Sequence, residues 1–104
     1  MIKLLLILST FVVSQDYIFV TFQVDMSNEV ISDDGVHLMG SDETYTDFGV
    51  SVDLENSLPA WDPGAIQLFD EDNDNIFQVT LGLQPNANYL YKFINGNTFA
   101  DSEA

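Results

Sequence analysis

Carboxylates and aromatic rings are the groups with which this chain could do chemistry. The run Asp70-Glu71-Asp72-Asn73-Asp74-Asn75 sets carboxylates at the alternate positions 70, 72 and 74. That is how a calcium loop of the D-x-D-x-D-G kind begins, with acidic oxygens converging on a hard cation. Asn75 stands in the glycine position and tolerates the left-handed backbone required there. Leu81 stands at the twelfth position, where an EF-hand needs a bidentate Glu, so the EF-hand reading fails. The segment reads instead as a polar hairpin turn, where Asp and Asn side chains accept hydrogen bonds from backbone just ahead of them. Weak or absent calcium binding is the expectation.

Catalysis has less to build on. With 17 Asp and Glu in 104 residues, some carboxylate pair always lies at a workable separation, and none is singled out. The chain has one His, no Cys, no G-x-S-x-G and no glycine-rich phosphate loop. No nucleophile and base can be paired, so neither an enzymatic role, a metal site nor a cofactor is expected. His37 lies between Val36 and Leu38, and alternation turns it outward as a lone surface residue.

The aromatic set is Trp61, Tyr45, Phe48, Phe69 and Phe99. Trp61 sits in Pro59-Ala60-Trp61-Asp62-Pro63, and two prolines exclude a regular strand. An exposed ring on a loop can stack on the apolar face of a sugar. A Trp can equally plug the end of a core. The residues alone leave the two readings open.

The elements that must position these groups are strands. Val20-Thr21-Phe22-Gln23-Val24-Asp25-Met26 alternates without a break, as do Ile76 to Leu83 and Tyr89 to Ile94. Phe22, Val24, Phe77, Val79, Leu81, Tyr91 and Phe93 are the predicted core. Val36 to Met39 and Ala65 to Phe69 read as shorter strands, and Val50 to Leu54 as a small extra one. Asn56 to Pro63 reads as loop. Asn95-Gly96-Asn97 is a strong turn signal. A last strand is expected from Thr98-Phe99-Ala100, with little room to pair before Ala104, so the closing strand reads as missing. No stretch has helical apolar spacing. The predicted fold is all-β, an antiparallel sandwich.

Met1-Ile2-Lys3, an apolar run from Leu4 to Val13, and small residues at Val12 and Ser14 follow the plan of a secretory signal peptide over residues 1–14. The run is about half of the roughly 20 residues a membrane span requires. No Cys follows for a lipid anchor. Residues 15–104 then form one domain, with Lys92 alone against 17 acidic residues and a formal charge of −16. Such a surface repels phosphate backbones and anionic lipid heads, so nucleic acid and membrane are not expected partners. A secreted location is expected, and without Cys there are no disulfides.

Three stretches in order carry a resemblance. They are Val20 to Met26, then Gly35-Val36-His37-Leu38-Met39-Gly40-Ser41 with Trp61-Asp62-Pro63, and Tyr89-Leu90-Tyr91-Lys92-Phe93-Ile94-Asn95-Gly96-Asn97. Together they resemble starch-binding carbohydrate-binding modules and the related glycogen-binding early-set domains, over roughly residues 18 to 101. The resemblance implies an immunoglobulin-like β-sandwich and non-catalytic binding of α-glucans. It also implies a possible place at the front of a larger secreted enzyme, and a site at Trp61, Lys92 and Phe99. Two departures stand out. Asp42 to Ala60, 19 residues, separate Ser41 from Trp61, and Phe99 stands where starch binders usually carry Trp. The alternatives are an immunoglobulin-like spacer or adhesion domain without sugar binding, and a calcium-stabilised module.

Overall fold

The computed structural model describes residues 16–102, and the expected signal peptide lies outside the described residues. Alternation produces strands in the three long stretches, whereas of the expected strand Val50 to Leu54 only Val50 is in a strand, because the chain turns and the Leu54 N–H bonds back to the Ser51 carbonyl at 2.8 Å. β1 spans Ile18–Asp25, β6 Ile76–Leu83 and β7 Tyr89–Asn95. β2 spans Val36–Asp42, β3 Gly49–Val50, β4 Ser57–Leu58 and β5 Ile66–Leu68. Two antiparallel sheets result, one ordered β1-β6-β3-β4 and the other β5-β2-β7. They pack as an immunoglobulin-like β-sandwich. The Tyr89 hydroxyl, which accepts the Gln84 backbone N–H at 3.0 Å, resembles the tyrosine corner of that class.

The core is Phe22, Met26, Val36, Leu38, Phe48, Ile66, Leu68, Leu81 and Leu83, with Val24, Phe77, Val79 and Phe93 packed partly buried against it. Tyr91 departs from the expected core. It is 48% exposed, because β7 is an edge strand and the ring lies at the rim. It still meets Phe22 edge-on at 4.9 Å and Phe93 at 5.8 Å.

β2 breaks the period-two expectation. All six residues from Val36 to Ser41 are buried. β2 is the middle strand of its sheet; its inner face meets the core, and loops cover its outer face. His37 is therefore not a surface residue. It is buried, and its Nδ1–H donates to the Gly96 carbonyl at 2.6 Å. Only a covered outer face makes a partner of this kind necessary.

The segment 42–60 supplies more structure than one extra strand. β3 and β4 both belong to the four-stranded sheet, β4 within a stretch read as loop, and between β2 and β3 Phe48 enters the core. The Phe48 ring stands edge-on to Phe22 at 5.7 Å and tilted to Tyr89 at 6.2 Å. Gly40 makes room for it, since a Cβ there would lie 2.8 Å from the Phe48 ring. The predicted strand at Thr98 is instead a 3₁₀ turn, Phe99–Asp101. The Asp101 N–H bonds back to the Thr98 carbonyl at 3.0 Å, and the Thr98 hydroxyl donates to the Asp101 carboxylate at 2.8 Å. These local bonds compete with extension.

Phe48→Ala removes a fully buried ring at the junction of β2, β3 and β7. It should cost about 3–5 kcal/mol, read as a lower urea midpoint at unchanged slope.

Candidate functional site

The loop 59–64 is tied to the middle of the sandwich by its backbone. The Trp61 N–H donates to the Gly40 carbonyl at 2.8 Å, on the side of β2 that pairs with β5. Asp62 closes the turn by accepting the Gly64 N–H at 3.0 Å. Trp61 itself has φ 51°, a left-handed conformation that a bulky aromatic residue rarely adopts. The indole is partly buried.

Lys92 lies on the other side of β2. It is in register with Met39, next to the Gly40 that holds Trp61. The two residues thus flank β2 about two strand spacings apart, roughly 10 Å between backbones. Tyr91 and Phe93 turn their rings toward the core, so alternation sets Lys92 on the outer face, where it is exposed.

Phe99 is 60% exposed, on the 3₁₀ turn rather than at the head of a strand. The chain before it is held from both directions. His37 binds the Gly96 carbonyl, and Asn95 accepts the Ser32 N–H at 2.8 Å while donating to the Val30 carbonyl at 2.8 Å. After the turn, Ser102 bridges back to Ile94. The loop 59–64 lies against this turn, since a Cβ on Gly64 would be 3.6 Å from the Asn97 carbonyl oxygen.

Trp61 and Lys92 are therefore set on either side of β2, and the Trp61 loop abuts the turn that leads to Phe99. Of the other aromatic candidates, Phe48 is a core residue, while Tyr45 and Phe69 are exposed. β3 and β4, contributed by segment 42–60, lie in the sheet opposite this face. The link from His37 to Gly96 carried no signal in the sequence, because alternation there pointed the other way.

The acidic turn is drawn together more tightly. Ligand oxygens of Asp70, Asp72 and Asp74 all lie within 4.8 Å of one another. Asp70 accepts the N–H groups of Asp74 at 3.1 Å and Asn75 at 2.9 Å, and Asp74 accepts that of Ile76 at 3.0 Å. Asn73 and Asn75 are left-handed. These are the bonds of a hairpin turn. Leu81, in the position of the missing Glu, is buried in the core and turned away from any ion. A side-chain hydrogen bond shared with Asp74 raises the Asp72 carboxyl above its ordinary value, whereas the Ile76 N–H lowers Asp74.

Asp42 shows the opposite extreme. The Thr44 hydroxyl, then the Thr46 N–H and hydroxyl, hold its carboxyl down to about 2. Donors on three groups favour the charged form. No helix among the described residues is long and apolar enough to cross a membrane.

Two measurements follow. In an NMR titration, Asp72 should take up its proton before Asp42 on acidification. Asp42 is depressed, so its stabilising contribution is complete above about pH 3.8 and lost as pH falls toward 2. Asp72 is raised and has the opposite sign, its repulsion relieved by protonation. Asp42→Asn should therefore flatten the acid limb of stability over that window. Calorimetric titration with calcium should give a dissociation constant on the order of 1 mM or weaker, for want of the bidentate carboxylate that Leu81 replaces; micromolar affinity would refute the turn reading. Compared with known protein families, characterised proteins and solved structures, the chain matches none.

Proposed function

We propose that this is a non-catalytic, exported module that binds α-glucans on the outer face of the sheet β5-β2-β7. The observation that carries the reading is the meeting of the Trp61 loop with the turn before Phe99, with Lys92 across β2 in register with Met39. Each group has a task. The indole of Trp61 stacks on the apolar face of a glucose ring. Phe99 offers a second, poorer platform without an N–H donor. Lys92 donates to hydroxyls. The left-handed backbone at Trp61 supports the reading, because strain of this kind persists where it positions a functional group. The reciprocal ties at His37 and Asn95 hold the Phe99 turn in place before any ligand arrives, which lowers the ordering cost of binding.

Two stacked rings contribute about 1–2 kcal/mol each and must also offset the cost of association. The affinity should be modest, on the order of 0.1–1 mM. Because the ligand is neutral, salt should barely change it. The spacer alternative keeps the fold and lacks the site. Titration with maltoheptaose, followed by calorimetry for every variant and by Trp61 fluorescence where that residue is kept, separates the two. Trp61→Ala should abolish binding, and Phe99→Ala should weaken it by about fivefold or more. Equal binding by Trp61→Ala and the parent, or none by the parent, leaves the spacer reading.

A further inference from the structure

The sandwich is closed on one side and open on the other. On the closed side the chain crosses from β5 to β6, and Phe69 and Gln78 exchange two backbone hydrogen bonds of 3.0 Å. On the open side stand β1 and β7, the terminal strands of their sheets among the described residues, with Ser102 bridged to Ile94 at one end of β7. Between them lies a cleft of about 470 Å³. Apolar and aromatic side chains from Val20, Phe22, Leu83, Tyr89, Tyr91 and Phe93 line it together with the polar Thr21 and Gln23, and none of the eight is charged.

The cleft continues at both ends. Tyr89 is shared with a cavity of about 340 Å³ that carries Asp42 and Asp47. Phe93 is shared with one of about 380 Å³ that carries Asp25, Glu29 and Asp101. The result is a groove with an apolar middle and acidic ends. It runs along β1, whose eight residues span about 25 Å. β1 lacks the protections usual on an edge. It has no Pro and no Lys, and its one charge, Asp25, is at the end.

We propose that this groove receives an extended segment of a partner protein, added as a strand along β1. Its residues alternate, apolar ones entering the cleft, and its two ends are basic. Strand addition supplies the backbone hydrogen bonds that an edge offers, and alternate side chains fill the pocket. Charge selects the occupant. A second copy brings another −15 and the same acidic ends, and is repelled. A basic segment is steered in by those ends. This groove is separate from the Trp61 face, and the inference does not rest on glucan binding.

The test uses the whole chain and two labelled peptides. Both have a centre of alternating valine and threonine; one is flanked by paired lysines and the other by paired glutamates. Fluorescence anisotropy at low salt should show the lysine peptide binding about tenfold or more tightly than the glutamate peptide, with the gap closing as salt rises. Amide shifts on binding should map to Val20–Gln23 and Tyr89–Phe93. The double variant Glu29→Gln with Asp47→Asn changes one exposed residue at each end. It should keep the parent's melting temperature and weaken the lysine peptide about threefold or more, leaving the glutamate peptide unchanged. Tyr91→Ser should weaken the lysine peptide and Trp61→Ala should not. Equal binding of the two peptides, binding of neither, shifts on the Trp61 face, displacement by maltoheptaose, or self-association of the chain through Tyr91 would each overturn the proposal.

Discussion

Strand β2 is buried on both faces from Val36 to Ser41, and the two loops of the candidate site hang from it. Its inner face carries Val36 and Leu38 into the core. Its outer face carries His37, which fixes the 95–97 turn through the Gly96 carbonyl. Its edge carries the Gly40 carbonyl, which fixes Trp61. Gly40 does one thing more. Without a side chain it lets the Phe48 ring approach the strand, which locks segment 42–60 into the core. A buried polar side chain must be partnered, so covering the outer face of β2 and ordering the Phe99 turn are one requirement.

This arrangement decides what could be read in the sequence. β1, β6 and β7 have one face wet, so alternation survived and their cores were legible. β2 has none, and its sequence mixes His, Gly and Ser with apolar residues. Period two then gave a strand of the right place and the wrong exposure at His37. Phe48 was invisible for another reason. It stands in an irregular stretch among Thr, Asp and Gly, and only tertiary packing against Phe22 and Tyr89 makes it core. At Thr98 a β-favouring residue was overruled by a local bond to Asp101. The aromatic and basic residues of the candidate face were legible as types. The approach of the Trp61 loop to the turn before Phe99 depends on Gly64 meeting Asn97, which no local pattern encodes.

The acidic composition also has a local explanation beyond solubility. Asp25 holds the N–H of Ser27, Asp42 those of Thr44 and Thr46, Asp53 that of Glu55, Asp62 that of Gly64, and Asp70 those of Asp74 and Asn75. With so few basic side chains available, turn N–H groups and hydroxyls take the place of ion pairs. Each carboxylate closes the turn in which it stands. The sequence is acidic in large part because its turns are.

Strand β7 joins the two surfaces. Tyr89, Tyr91 and Phe93 line the open side of the sandwich, and Lys92 between them belongs to the outer face. Period two thus gives one strand two audiences, and its register against β2 sets both. The seven pairs from Val36 with Asn95 to Asp42 with Tyr89 leave no slack for sliding, because a shift of one residue would exchange Lys92 with an aromatic ring. That exchange would put a charge in the apolar cleft and remove the donor from the outer face. The pairing that holds the core together is therefore the same pairing that keeps a polar face and an apolar groove apart on opposite sides of one strand.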